Sequence, residues 1–184
     1  MIFAVSDCHH FDVIDHNILL DKFIGNDIPE HITVWSVDFL NGRKQFVKIG
    51  DSVSNTTIVR AGTPQGTVSG PDDFKLVIND LTFNTCYVKY VDDATVLSIS
   101  KNVNDNTLQA AADHLVHWTQ NNGMTINTNK TKELIICFSK KVNVSNIPPL
   151  SVNGNNIERV TTFKLLLVYL LAQTYHGTIT LCTY

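Results

Sequence analysis

Asp92 and Asp93 stand side by side in the stretch VKYVDDATVLSIS, Val88 to Ser100, between two runs of apolar and β-branched residues. The runs read as the strands of a hairpin with both acids at its tip. Neighbouring carboxylates repel, and strand side chains alternate between faces, so at most one of the pair can follow the buried set. Such a tip has two uses. Hard divalent cations take oxygen ligands, and a turn lets two carboxylates reach one side without burying a bare charge, which a two-metal phosphoryl-transfer site needs from one of its elements. Aspartate is equally at home in plain solvated turns. Spacing leaves both readings open.

A second cluster lies in DCHHFDVIDH, where Cys8, His9, His10 and His16 carry sulfur and imidazole suited to zinc. On a strand, Cys8 and His10 share one face while His9 takes the other, and no further CxxC or HxxxH pair completes a tetrahedral set. A small non-enzymatic zinc module is the minor reading of these residues.

The elements that must position these groups alternate between strand and helix. IFAVSDC is a short apolar run ending in a polar turn, and HNILLDKF before Gly25 reads as a short helix with a glycine stop. PEHITVWSVDFLNG starts with Pro29 and ends at Asn41-Gly42, which suits a second helix; KQFVKIG alternates like a strand. After the Gly/Thr/Ser-rich loop AGTPQGTVSG, Pro71 opens a helix with Phe74, Val77, Ile78 and Leu81 at helical spacing. Leu108, Ala111, Ala112, Leu115 and Trp118 make one stripe of a longer helix, with Gly123 where a C-terminal glycine belongs. ELIICFS then reads as a strand and Asn153-Gly154 as a tight hairpin turn. The pattern predicts a mixed αβ chain with an antiparallel sheet.

With 184 residues, 43% of them hydrophobic, one sizeable core is expected. Cys8, Cys86, Cys137 and Cys182 are scattered, and the chain opens without a signal-peptide pattern, which fits reduced thiols inside a cell, in nucleus or cytoplasm. FKLLLVYLLA covers only about half of a membrane span, so a buried strand is expected there and no membrane partner. The formal charge of -3 argues against nucleic-acid binding by the chain as a whole.

Several blocks in order carry a resemblance. YVDD (Tyr90 to Asp93), GTPQGTVSGPDDFKLVINDL (Gly62 to Leu81), FDVIDHNILLDKF (Phe11 to Phe23), WSVDFLNGRKQFVKIG, HWTQNNGMTINTNKTKELIICFS and VNGNNIERVTTFKLLLVYL together resemble the palm of a reverse transcriptase from a non-LTR (LINE-type) retrotransposon. The resemblance spans essentially the whole chain. It implies an α+β fold, with a polymerase palm-like antiparallel sheet packed against helices and without complete fingers and thumb. It further implies that residues 1–184 are a partial reverse transcriptase domain, with the thumb-proximal hairpin at about 149–171. The implied activity is RNA-directed DNA polymerisation, with two Mg²⁺ ions (or Mn²⁺) serving transfer of dNTPs to a primer 3′-hydroxyl on an RNA template.

The resemblance also assigns roles. Asp92 binds metal with Asp7 from the first strand, and Asp93 sits beside it in support. Phe11 lies under the incoming sugar and excludes a 2′-hydroxyl, although core packing explains an aromatic residue there equally well. Gln65 and Gly66 of the Pro-Gln-Gly loop face the nascent base pair, against the plainer reading of an ordinary turn. Lys130 or Lys132 steadies the leaving pyrophosphate, unless it is simply a solvated lysine.

Four features depart from the family pattern. SDCHHFD leaves one residue too few between Asp7 and Phe11, and ungapped alignment places Ser6 in the ligand position instead. A one-residue slip would turn the carboxylate to the opposite face. Asp72-Asp73 stand where the pattern is usually apolar, a pair that the dipole tolerates at a helix N-terminus. Leu167 replaces a usual glycine, and the sequence opens almost at the first strand. Weak binding of template, primer and dNTPs follows, because fingers and thumb supply much of the gripping charge. The alternative to a working polymerase is a catalytically inactive, truncated retroelement remnant.

Overall fold

The computed structural model describes residues 2–5, 13–64, 66–100, 104–138 and 143–162. In chain order the elements are β1 (Ile2–Val5), α1 (His16–Gly25), α2 (Glu30–Leu40), β2 (Lys44–Gln45), β3 (Lys48–Ile49), β4 (Ser52–Val53), β5 (Thr57–Ile58) and α3 (Ser69–Ile78). Then follow β6 (Cys86–Tyr90), β7 (Asp93–Leu97), α4 (Thr107–Asn121), β8 (Lys132–Leu134), β9 (Ser151–Val152), β10 (Asn155–Asn156) and β11 (Glu158–Val160). The expected strand FKLLLVYLLA and the part beyond Thr162 of the hairpin expected at 149–171 lie outside the described residues. Among the described residues no helix is long and apolar enough to cross a membrane.

Two compact units emerge. One draws on the described residues of Met1–Asp7, Phe83–Val116 and Ile126–Tyr184; the other on those of Cys8–Thr82 and His117–Thr125. The first unit holds a five-stranded sheet in the order β11-β8-β1-β7-β6. β1 pairs antiparallel with β7 and with β8, and β6 pairs antiparallel with β7. β11 runs parallel to β8, so the sheet is mixed, not purely antiparallel as the local patterns predict. Parallel partners need a long crossover, here from Leu134 to Glu158, and no local signal encodes such a register. An ion pair fixes it: Arg159 Nε donates to Oε2 of the fully buried Glu133 at 2.9 Å, across the register pair that these two residues form. The remaining donors of Arg159 reach the carbonyls of Val144, Ile147 and Pro148.

α4 follows its sequence pattern closely. Leu108, Ala111, Ala112, Leu115 and Trp118 are all buried. Gly123 takes φ +64, and Met124 N–H returns to the Thr119 carbonyl at 2.8 Å, the closure that a left-handed glycine permits. At the other end Asp105 accepts from the Thr107 hydroxyl (2.6 Å) and amide (3.1 Å) and from the Ser98 hydroxyl (3.1 Å). These bonds, the Thr107 hydroxyl first, hold its carboxyl below the usual carboxylate range.

In the second unit α1 starts on Asp15, whose side chain accepts from Asn17 N–H at 2.7 Å, and it buries Leu19 and Phe23. Lys22 of α1 pairs with Asp80, just past α3, and Asp80 also accepts from the Trp118 indole N–H at 3.1 Å. KQFVKIG does not form one strand. β2 pairs with β5 and β3 with β4, and between Gln45↔Thr57 and the bond from Ser54 N–H to Val47 O one strand spends an extra residue. That is the signature of a β-bulge in a single hairpin ribbon.

α3 begins at Ser69, two residues before Pro71. Its buried positions are Gly70, Asp73, Phe74 and Val77, so Asp73 lies on the inward stripe and not in a tolerant first turn. Burial, and then the neighbouring Asp72, push the Asp73 carboxyl up to about 6.

Candidate active site

The tip of the β6–β7 hairpin is the two-residue turn Val91-Asp92, closed by the pair Tyr90↔Asp93. Val91 adopts φ 52. The same molecule builds two other two-residue hairpin turns with the residues such turns prefer: Gly50 at φ +58 before Asp51, and Asn153-Gly154 at φ 51 and φ +76. Among the described residues Val91 alone is a β-branched residue in the left-handed region, where its Cβ crowds the backbone at a cost of about 1–3 kcal/mol. Strain of this kind clusters at functional sites.

Strand alternation fixes where the second acid goes. Ala94 and Val96 are buried, so Asp93 belongs to the other face, with Thr95 and Leu97. The register β7–β1–β8 puts Lys132 level with Thr95 through Ala4, and hence on the face that carries Asp93. Its ammonium is engaged with the Glu158 carboxylate at 2.5 Å and the Asn129 carbonyl at 2.7 Å. Lys130 is exposed in the preceding turn. The carboxylate of neither Asp92 nor Asp93 takes part in a hydrogen bond or ion pair among the described residues, and both residues are half-buried. Two carboxylates left unpartnered on a strained turn fit the oxygen donors that a hard dication takes.

β1 brings the partner strand to the same place. Val5, its last described residue, lies opposite Ala94, the residue after Asp93. Ser6, Asp7 and Phe11 lie outside the described residues, as do Cys8, His9 and His10. Of the zinc candidates His16 is described, its Nε2 sitting 3.0 Å from the Gly62 carbonyl. Among the described residues no group of three or more His, Cys, Asp or Glu gathers as a metal cluster.

The Pro-Gln-Gly loop belongs to the other unit. Pro64 is buried, and its carbonyl accepts from the Thr67 hydroxyl at 2.7 Å. That carbonyl lies 2.8 Å from where a Cβ on Gly70 would stand, so only glycine lets the first turn of α3 close on the loop. Gly66 is exposed at φ +77, and Gln65 lies outside the described residues. Sequence reasoning missed the inward position of Asp73 and the strain at Val91; the fault at Asp73 was the helix start, and no residue-type signal marks Val91.

The described residues thus form a mixed α+β fold with a strained acidic hairpin beside the central strand of its sheet. The family described as reverse transcriptase (RNA-dependent DNA polymerase) matches residues 2–166, and the chain belongs to it. It is 27% identical over 168 residues, 85% of this chain, to the RNA-directed DNA polymerase from mobile element jockey of Drosophila melanogaster. To the probable RNA-directed DNA polymerase from transposon BS of the same fly it is 26% identical over 168 residues. The match spans 18% of the length of each of these relatives.

Proposed function

We propose that this chain is palm-forming sequence of the RNA-directed DNA polymerase of a non-LTR retrotransposon, with Asp92 and Asp93 holding divalent cations together with Asp7. One observation carries the reading: in a chain of this family, a valine at φ 52 makes a two-residue turn that sets two carboxylates without side-chain partners, Asp92 in the turn and Asp93 at the start of β7, beside the end of β1. Mg²⁺ bound there supplies charge for the primer hydroxyl and the leaving pyrophosphate. The protein side of the work is positional. β7, hydrogen-bonded on both edges, fixes the height and facing of Asp93. The Val91 turn sets Asp92 one residue beyond the ladder. Lys132, tethered to Glu158, keeps a cation on the same face as Asp93. Phe11, Gln65, Gly66 and Lys130 keep the nucleotide and template roles that the family implies.

Purified chain given an RNA template, DNA primer, dNTPs and Mg²⁺ extends the primer under this reading, and Asp92→Ala reduces extension to background. If wild type and variant are equally inert, catalysis by this polypeptide is ruled out. A second reading, a folded remnant without turnover, then stands. It is favoured by the shortened spacing in SDCHHFD and by an acid, Asp73, on the buried stripe of α3.

A further inference from the structure

α2 is a surface helix with its apolar residues on the wrong side. It buries only Ser36 and Leu40, and leaves Ile32, Val34, Trp35, Val37 and Phe39 exposed. Trp35 and Phe39, one turn apart, stack on each other with ring centroids 5.6 Å apart and planes within 6°. Trp35 is 58% exposed. The Arg43 guanidinium lies 5.5 Å from the Phe39 ring centroid and extends the stack by a cation.

The ribbon that continues from Arg43 is cationic. Residues 43–60 carry Arg43, Lys44, Lys48 and Arg60 against Asp51, a net +3 in a chain whose total is -3. None of the four basic groups is in a salt bridge among the described residues. Lys44 lies opposite Ile58, and Val59 N–H donates to the Arg43 carbonyl at 2.8 Å, so Arg60 returns to the Arg43 end of the ribbon. Asp38 and Glu30 are the acids of α2.

We propose that Trp35 and Phe39 of α2, with Arg43, Lys44, Lys48 and Arg60 of the ribbon, form a platform for a single-stranded polynucleotide, separate from the Val91-Asp92 turn. Unpaired bases stack on exposed aromatic faces without regard to sequence, while cations with no acidic partner track the phosphates. Charge complementarity favours this occupant over a protein surface: Val47, Ile49, Val53 and Ile58 are exposed and would suit a protein, but four unpaired cations would not be left for an apolar partner. The platform does not depend on catalysis, so it is tested in EDTA, where metal-dependent chemistry plays no part.

The chain has two tryptophans, Trp35 exposed and Trp118 8% exposed, so quenching by a ligand on α2 reports Trp35. Labelled oligouridylate and oligothymidylate of about twelve nucleotides, a length within the usual single-strand site sizes, serve as probes for anisotropy and quenching. Saturable binding is expected for both, weakening as salt rises from about 50 to 200 mM. Trp35→Ala weakens it about tenfold, the effect of one lost base stack. Lys44→Ser with Lys48→Ser flattens the log–log salt slope by about 1.4, near 0.7 for each lost phosphate contact. Both variants change exposed positions, and circular dichroism confirms their folding. Absence of saturable binding at low salt overturns the platform, as does binding that neither variant alters. A concentration-dependent dimer in sedimentation that hides Trp35 and excludes oligonucleotide overturns it in favour of a second copy of this chain. Oligonucleotide binding in EDTA is expected to be the same for wild type and Asp92→Ala, while primer extension is read separately with Mg²⁺, so failure of the platform and failure of the polymerase reading are distinguishable.

Discussion

At Val91 the side chain and the backbone want different things: branching at Cβ disfavours φ 52, yet the turn between Tyr90 and Asp93 requires it. Glycine there releases about 1–3 kcal/mol of strain and costs about 0.5–1 kcal/mol in chain entropy, so Val91→Gly is expected to stabilise the fold by about 1 kcal/mol. A urea midpoint that does not move upward contradicts that balance. Asp73 has the opposite problem, a carboxyl on the buried stripe of α3. Its pKa is raised to about 6, so the folded state resists its ionisation. The cost is absent below about pH 4, where the acid is protonated in both states, and grows as pH rises through 6. At about 1.4 kcal/mol per pKa unit, Asp73→Asn is expected to match wild type near pH 4 and exceed it by about 2–3 kcal/mol at pH 7. Denaturation curves across that range check it. Of these two residues the sequence displays both identities and neither predicament. Val91 looks like any strand valine, and Asp73 looks harmless as long as α3 is taken to start at Pro71.

Elements were legible wherever the signal is local. The stripe and glycine stop of α4, the Asn153-Gly154 turn and the YVDD hairpin each rest on residues within a few positions of one another, and the structure contains all of them. The parallel β8–β11 pair and the bulge in the β2–β5 ribbon rest on partners distant in sequence or on one extra residue, and no periodicity announces either. The β8–β11 pair depends on Arg159 and Glu133. Arg159→Ala leaves a carboxylate buried without its cation and is expected to cost about 3–5 kcal/mol. The double variant Glu133→Leu, Arg159→Met is expected to regain about half of that or more, since apolar pairs replace buried ion pairs at little cost. Chemical denaturation of the single and double variants decides the matter. At the start of α4, Asp105→Ala is expected to cost about 1 kcal/mol at neutral pH. Because the Asp105 carboxyl sits below its ordinary range in the folded state, its contribution is present above that range and is lost on acidification; the gap between variant and wild type closes as pH falls.

For the molecule as a whole, the two acids pull in opposite directions with pH. Acidification from pH 7 to pH 4 relieves Asp73, and only below about pH 4 does it undo Asp105, so Asp73→Asn, lacking the relief, is expected to fare worse than wild type by about 2–3 kcal/mol over the first step. Family membership was legible because ordered motif blocks survive substitution of what lies between them, and the family match over residues 2–166 agrees. The candidate site was legible in its second half only: YVDD announces itself, whereas the strand that should meet it is spaced irregularly in SDCHHFD. The sheet order carries a last consequence, for the time course of synthesis. β1 occupies the middle of the sheet, yet Ile2 pairs with Leu97 and Leu134. A ribosome makes this strand before either neighbour exists, and both loop closures are long, which slows assembly. β1 is thus made before both of its partners, and until the stretches around Leu97 and Leu134 emerge its ladder edges have only water, or a chaperone, to hold them.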